Sequence, residues 1–379
     1  MPTLQKKIET ILNSKEEIPA SPLGSLLSAA SALYGAAQKI RASCYRQNLL
    51  QSRKLPCDVI SVGNLTVGGT GKTPMTIYVA RKLQQAGMRV AVISRGYKGS
   101  AERDGGVVSD GSNLLMNSEQ AGDESFLIAS RLKNIPVIVG KNRFAAGMLA
   151  IRNFQPEIIV LDDAFQHLKL RRDIDIILLD YTRPFGNAHL MPRGMLREPV
   201  TALTRATACV LTRSPTGPDE AASTTLAGVK TFMPDIPIFT SVHDPYMYTV
   251  KGGVPTPFNT ISHFMAPHDS DQIKYRKVYG FSGIARNDDF KRTVATLGFT
   301  SMGFSEFPDH HKYSRDDLEK TVRTAGATGA ECLITTEKDH ARIAHKKPLA
   351  MDLVVVGVKI DFGNDEQKFI SFIQSRLQQ

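Results

Sequence analysis

Apolar residues between Cys57 and about Arg213 fall into short runs separated by stretches with helical spacing. The runs have the length and composition of buried strands. The predicted strands are Asp58–Val62, Arg89–Ser94, Pro136–Val139, Glu157–Leu161, Ile174–Asp180 and Ala208–Thr212, and the predicted helices are Thr73–Ala86, Asp123–Leu132 and Arg143–Phe154. Because short apolar strands alternating with helices form parallel sheets covered on both faces, the pattern predicts an α/β fold.

A second alternation follows two Pro- and Gly-rich boundary signals, Ser214–Pro218 and Lys251–Pro257. Its predicted elements are Val278–Phe281, Phe290–Leu297, Leu318–Thr324, Cys332–Thr335 and Leu353–Val358. We therefore predict a larger N-terminal α/β domain over residues 1–215, a linker region over 216–275 and a smaller C-terminal α/β domain over 276–379.

The segment Ser21–Arg41 has the pattern of an amphipathic helix, with Pro22 in its first turn. The apolar positions at helical spacing are Leu23, Leu26, Leu27, Ala30, Leu33, Tyr34, Ala37 and Ile40. Basic residues follow closely, at Arg46 and Arg53 among others. Two interpretations stay open from this pattern: the helix packs on its own domain, or it lies in a membrane interface.

Composition narrows the classes of partner. The 379 residues are 42% hydrophobic and 22% charged, which is typical of a soluble protein with two cores, and no run reaches the length of a spanning helix. The net charge of +10 favours an anionic partner, but the dispersed basic residues argue against nucleic acid, and no obligate protein partner is indicated. The four cysteines form no close pairs, and no signal peptide is evident, so a reducing cytosol is the simplest compartment.

A glycine-rich loop follows the first predicted strand and is the strongest chemical signal. It consists of Thr66, Val67, Gly68, Gly69, Thr70, Gly71, Lys72 and Thr73. Glycines let backbone amides approach phosphate oxygens, Lys72 places a cation against the outer phosphates, and Thr73 offers a hydroxyl to Mg²⁺. The usual leading glycine is replaced by Thr66, but the preceding strand and the helix opened by Pro74 supply the expected context. The loop predicts binding of ATP or GTP.

Acidic residues at strand and helix ends are candidates for the metal side of such a site. Asp162 and Asp163 follow a predicted strand, and we favour them over the similarly placed Asp180 because Gln166 and His167 come next. The sequence does not rank Asp162 against Asp163. Asp123 and Glu124 open another helix, where they are either a helix cap or a proton acceptor and a metal-side acid.

The second half of the chain adds a loop with two imidazoles, His310 and His311, after Asp309. A neutral histidine can orient, accept or relay a proton, although such a pair is more often structural. The motif Thr335–Asp339 ends a strand and enters a helix, with no function legible from its composition. Arg143 and Arg197 are possible anion contacts among several arginines.

Taken together, these motifs resemble the tetraacyldisaccharide 4′-kinase family, the lipid A 4′-kinases. The resemblance covers most of the chain, through Val62–Pro74, Ser94–Tyr97, Gly122–Glu124, Asn142–Ala146, Asp162–His167, Arg172–Asp173, Gly186–Asn187, Leu196–Pro199, Phe281–Ala285, Phe307–His311 and Thr335–Asp339. Three positions depart from the family pattern: Ala164 and Ala188 replace glycines, and Arg193–Met195 stands where Ala-Gly-Pro is common. An alanine at such a turn costs more if its φ is positive.

The resemblance implies a P-loop kinase that transfers the ATP γ-phosphate, with Mg²⁺, to the 4′-hydroxyl of a tetraacylated glucosamine disaccharide 1-phosphate. It implies a peripheral enzyme at the cytoplasmic face of the bacterial inner membrane, with membrane contact by the Leu23–Ile40 helix. It also implies that Asp123 and His310 act together as the general base and that Glu124 and Asp162 lie on the metal side. Because Asp123 and His310 fall in different predicted domains, we expect domain closure to bring them together.

Two alternative functions remain from the residues alone. One is a P-loop kinase of a soluble sugar or nucleotide, which the apolar stripe of the N-terminal helix disfavours. The other is a nucleotide-switched GTPase such as a metallochaperone, for which the guanine-specifying Asn-Lys-x-Asp motif is missing.

Overall fold

The computed structural model describes residues 22–215, 222–253 and 275–377. It divides into two compact units. Unit 1 comprises residues 1–72, 160–243 and 360–379, and unit 2 comprises residues 73–159 and 244–359. Both units are discontinuous in the chain, whereas the domains predicted from the boundary signals are contiguous. The contiguous boundaries near residues 215 and 275 stay a prediction, and much of the linker region lies outside the described residues.

The architecture is mixed α/β, with a mostly parallel sheet flanked by helices, and the predicted fold class is confirmed. The described strands are β1 Asp58–Asn64, β2 Val90–Ser94, β3 Gly106–Ser109, β4 Val137–Val139, β5 Ile158–Asp162, β6 Ile174–Asp180, β7 Ala208–Thr212, β8 Ile238–Val250, β9 Lys277–Ser282, β10 Thr300–Glu306, β11 Cys332–Thr336 and β12 Leu353–Asp361. The described helices are α1 Pro22–Arg46, α2 Lys72–Gln85, α3 Ser118–Ala121, α4 Asp123–Arg131, α5 Arg143–Phe154, α6 Ala222–Lys230, α7 Asn287–Thr296, α8 Arg315–Ala327, α9 Glu337–Ile343 and α10 Glu366–Leu377.

In unit 1, β6 pairs in parallel with β1 on one side and β7 on the other, and β7 pairs in parallel with the start of β8. All seven residues of β6 are buried, which explains the apolar run Ile176–Leu179 at its centre. A hydrophobic core packs beside these strands and includes Leu65, Phe165, Leu179 and Leu203. Parallel strands place their carboxyl ends at one edge, and the phosphate loop follows the end of β1 there.

The fully buried positions of helix α1 are small residues, and its large apolar residues are partly buried or exposed. Gly24, Ser31 and Gly35 are its buried positions. The Ser31 hydroxyl donates to the carbonyl of Leu190 at 2.8 Å, and a Cβ on Gly35 would lie 2.6 Å from the Leu190 side chain. A larger residue at Gly35 would therefore require the Leu190 side chain to move.

Unit 2 contains two groups of paired strands. Strand β4 pairs in parallel with β2 and antiparallel with β3. The other group has the order β10-β9-β11-β12, and all of its pairs are parallel. Two hydrophobic cores cover this group, one around Phe281 and Tyr313 and the other around Phe290 and Ile334.

Most predicted elements are confirmed. Strands β6 and β7 and helix α5 have the predicted bounds, and the others named in the sequence prediction differ by a few residues. Helix α1 runs to Arg46 rather than Arg41, and Ser21 lies outside the described residues. The prediction missed β3, β8, β10, α3, α6 and α10, and of α9 it gave only the start after Thr335.

Candidate active site

The phosphate loop lies between β1 and α2 and is held by hydrogen bonds within unit 1. The buried Asn64 side chain donates to the Thr66 carbonyl at 2.6 Å and to the Thr70 hydroxyl at 3.0 Å. The Val67 N–H donates to the Met195 carbonyl at 2.7 Å, and the Thr212 hydroxyl donates to the Thr70 carbonyl at 3.0 Å. These contacts fix a loop that carries little side-chain bulk, which is the preorganisation an anion site needs.

Glycine is required within the loop at two positions. Gly68 and Gly71 have φ values of 116° and 85°, which side chains rarely adopt. A Cβ on Gly71 would also lie 2.5 Å from Nε2 of His243. Burial, with the charge of Arg213 acting in the same direction, lowers the pKa of His243 to about 4, so this imidazole is neutral beside the loop. Gly69 and Thr73 complete the loop and the first turn of α2, where the Thr73 side chain is buried.

A charged cluster joins Lys72 to the segment after β5. The Lys72 ammonium lies 3.9 Å from Oδ2 of Asp163, and Nη1 of Arg197 donates to both carboxylate oxygens of Asp163 at 2.9 and 3.0 Å. Asp163 adopts a left-handed backbone conformation with φ of 48°. Asp163 therefore orients two cations near the phosphate loop, while its neighbour Asp162 is 2% exposed at the end of β5.

Asp180, the competing strand-end acid, stabilises the turn that follows β6. It accepts hydrogen bonds from the Thr182 hydroxyl at 2.7 Å and from Arg213 at 3.1 Å. Gln166 instead contacts β1, because its side-chain amide donates to the Asn64 carbonyl at 2.9 Å. The His167 carbonyl accepts from Arg172 at 2.8 Å, so this residue supports the loop through its backbone.

Asp123 and His310 lie together in unit 2. Nδ1 of His310 is 3.2 Å from Oδ2 of Asp123, and the same oxygen accepts from Nε of Arg342 at 2.6 Å. Asp123 is the first residue of α4, preceded by Gly122 with φ of 81° and no side-chain cap. The interpretation of Asp123 as a helix cap is wrong on this geometry, since its carboxylate bonds to residues far away in sequence. The expected domain closure is not needed to form the pair.

The electrostatics of Asp123 favour its ionised form. Burial raises the pKa of this carboxyl, but the hydrogen bond from His310 and the charge and hydrogen bond of Arg342 outweigh it, and the net pKa lies below the ordinary value. The His310 ring also has Tyr97 at its edge, with centroids 5.7 Å apart. His310 itself adopts a left-handed conformation with φ of 61°, an unusual backbone for a histidine.

Glu124 and Arg143 are the remaining predicted residues in unit 2. The Lys338 ammonium donates to Oε1 of Glu124 at 2.6 Å, so this carboxylate has a cationic partner. Arg143 is 3% exposed, and its Nη1 donates to the Gly140 carbonyl at 2.7 Å. This contact within the turn before α5 gives Arg143 a structural role.

The donors present suit Mg²⁺ in chemical type. Thr73, Asp162 and Glu124 offer hydroxyl or carboxylate oxygens, which are the ligands of a hard cation. Within the described residues, no three or more His, Cys, Asp or Glu side chains are grouped so as to hold a metal. One or two protein ligands together with nucleotide phosphates commonly hold Mg²⁺, and the residues fit that mode.

The departures from the family pattern differ in the backbone strain that they cause. Ala164 is fully buried and has no positive φ, so its side chain fits without backbone strain. Ala188 has φ of 60° and lies in the region that favours glycine. In the third departure, Gly194 is required, because a Cβ there would lie 2.2 Å from the His189 carbonyl oxygen.

The cationic partners of Asp123 and Glu124 were not predicted from the sequence. Arg342 and Lys338 both project from α9, and Arg342 was not among the predicted site residues. The signal for them lies in the Thr335–Asp339 motif, whose place at a strand end was noted without a function. Arg342 follows Asp339 by three residues and therefore shares its helix face.

A strand, a glycine-lined loop with Lys72 and a following helix define a nucleotide-binding P-loop protein. The family model of tetraacyldisaccharide-1-P 4′-kinases matches residues 23–378. The tetraacyldisaccharide 4′-kinase of Desulfatibacillum aliphaticivorans is 37% identical over 100% of this chain and 99% of its own length. That of Pelobacter propionicus is 42% identical over 87% of this chain and 86% of its own length.

A solved structure agrees with these relatives. The crystal structure of LpxK from Aquifex aeolicus in complex with ATP has a TM-score of 0.73 and 32% identity, and the match covers 94% of this chain and 99% of that one. The chain belongs to the tetraacyldisaccharide 4′-kinase family, and it is a kinase, a phosphotransferase with a hydroxyl acceptor. The predicted family and enzyme class are confirmed.

Proposed function

We propose that this kinase transfers the γ-phosphate of ATP to the 4′-hydroxyl of a tetraacylated glucosamine disaccharide 1-phosphate, a step of lipid A biosynthesis. The observation that carries the proposal beyond nucleotide binding is the hydrogen bond between Asp123 and His310. A phosphate loop alone also serves hydrolases and switches, whereas a carboxylate–imidazole pair is suited to activating a hydroxyl acceptor.

The donor half of the reaction falls to the phosphate loop. Backbone amides of residues 68–73 bind the β- and γ-phosphate oxygens, and Lys72 adds a cation that Asp163 holds in place. Thr73, with Asp162 or Glu124, would hold Mg²⁺. When bound, Mg²⁺ neutralises charge on the phosphates. Positioning and charge neutralisation supply most of the rate, because phosphoryl transfer needs little covalent participation by the protein.

The acceptor half falls to Asp123 and His310. The acceptor oxygen forms its bond to the γ-phosphorus as the bond to the leaving ADP oxygen breaks, and the hydroxyl proton passes to the Asp123–His310 pair. Asp123 has a lowered pKa and is ionised at neutral pH, so it can accept a hydrogen bond from the hydroxyl. A weak base suffices here, since the transition state is loose and the proton can leave late.

We further propose that α1 attaches the enzyme peripherally to the cytoplasmic face of the inner membrane. Leu26, Leu33 and Ile40 are 67%, 75% and 64% exposed, and their spacing of seven places them on one helix face. Leu26, Leu33 and Ile40 therefore point to solvent, whereas Leu23, Leu27 and Tyr34 of the same helix are partly buried. Five of the eight exposed large hydrophobic side chains in the described residues lie between Leu26 and Leu50. No described helix has the length and apolar character to cross a membrane.

The activity is tested with purified protein, ATP, Mg²⁺ and the tetraacylated acceptor in detergent micelles. Mass spectrometry should find the bis-phosphorylated lipid, and no product should form without ATP. A Lys72→Ala variant shown to be folded by circular dichroism should lose nearly all activity, because the β/γ-phosphates lose their cation. Full activity of that variant, or ATP hydrolysis by the parent without lipid product, would contradict the proposal.

Membrane attachment is tested by sedimentation with anionic lipid vesicles. Leu33→Glu places a charge in the exposed apolar face and should release the protein from vesicles. Leu115→Glu is the matched control, because Leu115 is 55% exposed but lies in unit 2 outside α1. Equal binding by both variants would remove α1 from the membrane contact.

A further inference from the structure

Helix α9 carries a buried arginine that bridges two carboxylates of unit 2. Nε of Arg342 donates to Oδ2 of Asp123 at 2.6 Å, and Nη1 donates to Oδ1 of Asp339 at 2.7 Å. Nη1 also donates to the Gly283 carbonyl at 2.7 Å, and the Arg342 side chain is only 4% exposed. The planar guanidinium therefore has its orientation fixed by three contacts at defined angles.

The far side of this arginine is anchored in the core. Asp339 is fully buried and accepts from the Tyr313 hydroxyl at 2.8 Å, from the Gly283 N–H at 3.0 Å and from the Thr336 hydroxyl at 2.7 Å. These donors come from three separate segments of unit 2. Because Asp339 is fixed by them, it holds Arg342 in place whether or not Asp123 is bound to a substrate.

Three ion pairs join α4 to α9, two with the acid on α4 and one with the acid on α9. Asp123 pairs with Arg342, Glu124 pairs with Lys338, and at the other end of α4 the charge order reverses, with Arg131 bonded to the buried Glu337. A shift of one helical turn would separate Arg131 from Glu337 and leave both buried charges unpaired, which is unfavourable. The pattern thus fixes where α9 presents Arg342.

Arg342 also determines how Asp123 faces its other partner. Arg342 and His310 both contact Oδ2, and Nη2 of Arg342 lies 3.5 Å from Nδ1 of His310. Among the described residues, none donates a hydrogen bond to Oδ1 of Asp123. The contact on Oδ2 fixes the carboxylate plane, and Oδ1 is left for another donor.

We propose that Arg342 is the positioning residue of the Asp123–His310 pair and that it aims Oδ1 of Asp123 at the acceptor hydroxyl. The inference rests on the proposed function, since it assigns Asp123 to the acceptor side of that reaction. In this proposal Asp339 and Arg342 of α9 fix the relative orientation of Asp123 and His310. Misplacing a reacting group by about 1 Å can cost on the order of 100-fold in rate.

The test compares Arg342→Lys and Arg342→Ala with the parent in the lipid kinase assay. We expect kcat to fall about 10- to 100-fold for both, with KM for ATP unchanged within about threefold, because the donor half is untouched. Lysine keeps the charge but lacks the planar fork, so Arg342→Lys should not restore the parent rate. Added guanidinium should restore part of the activity of Arg342→Ala, an effect that loss of structure alone would not give.

Arg131→Gln is the matched control, because it removes a similarly buried arginine that pairs across the same two helices without touching Asp123. It should lower thermal stability while keeping kcat closer to the parent and showing no guanidinium rescue. Unchanged kcat in the Arg342 variants would overturn the proposal. An equal loss of kcat in Arg131→Gln without rescue of Arg342→Ala would also overturn it, since the role would then be structural.

If Arg342→Ala does not fold, Arg342→Lys alone decides by the same kcat criterion. The parent enzyme separates this inference from the function on which it rests. No lipid product from the parent means that the proposed function fails. A fully active parent with equally active Arg342 variants means that only the positioning role fails.

Discussion

His340 makes unit 2 sensitive to mild acid, and the size of the effect follows from its surroundings. The imidazole is 3% exposed on α9, and its Nδ1 lies 3.0 Å from the Tyr248 hydroxyl. Burial lowers the pKa of His340 to about 4, and the nearby charge of Arg131 acts in the same direction. The folded protein therefore keeps this ring neutral over a range in which an ordinary histidine is protonated.

The sign and magnitude come from the protons bound in each state. Between pH 6.5 and pH 4 the unfolded chain binds a proton at His340 and the folded chain does not, so the free energy of unfolding falls as the pH falls. The difference between 6.5 and about 4 is about 2.5 pKa units, which at roughly 1.4 kcal/mol per unit gives about 3 kcal/mol across the window. His243 in unit 1, with its pKa also lowered to about 4, adds a separate loss.

The assay is urea unfolding followed by far-ultraviolet circular dichroism, since the chain has no Trp. His340→Gln keeps an acceptor for the Tyr248 hydroxyl but cannot be protonated, so it should lose about 3 kcal/mol less than the parent between pH 7 and pH 4. His311→Gln is the control, because His311 pairs with Asp317 at 3.0 Å and is partly exposed, whereas His340 is buried. An acid-induced loss in His340→Gln equal to that of the parent would refute the reasoning.

Three further predictions concern the site directly. His310→Ala should lower kcat by about 100-fold or more without changing ATP binding measured by calorimetry, and an unchanged chemical rate would remove His310 from catalysis. Gly71→Ala should abolish ATP binding, because its Cβ would meet His243 at 2.5 Å; Gly298→Ala has a similar positive φ with no atom within 4 Å and should only lose about 1 kcal/mol of stability. Asp163→Asn keeps the left-handed conformation but loses its charge, so kcat should fall about tenfold as two cations lose their anchor, with Mg²⁺ titrations showing no matching change.

The part of the fold that the sequence predicts best is its buried parallel strands. Strand β6 has seven buried residues, and its apolar run gives both its bounds correctly. Strand β10 was missed because it lies at the edge of its group and has no fully buried residue, so no apolar run marks it. Strand β8 contains Pro245 and few fully buried residues, and its sequence lacks the continuous apolar character used for the prediction.

The candidate site also has a part that the sequence predicts and a part that it does not. The phosphate loop is local in sequence, and its glycines and Lys72 can be recognised without knowing the fold. The contacts of Asp123 are not local, because 187 residues separate it from His310 and 219 residues separate it from Arg342. A motif resemblance gave the first partner but not the second, since no spacing rule links residues brought together only by tertiary packing.

Domain closure was expected because the predicted domains were contiguous. It is not required for the contact between Asp123 and His310, because the units are discontinuous in the chain. Boundary signals mark where a chain changes composition, and they imply contiguous domains, so Asp123 and His310 fell on opposite sides. In the structure, residues 73–159 and 244–359 form one unit, and the pair is assembled inside it by the anchored Arg342. Its geometry is then a property of the folding of unit 2 rather than of nucleotide binding. It follows that the histidine ring should contact the carboxylate equally well with and without ATP, and that ATP-dependent steps of the reaction must act on something other than this contact.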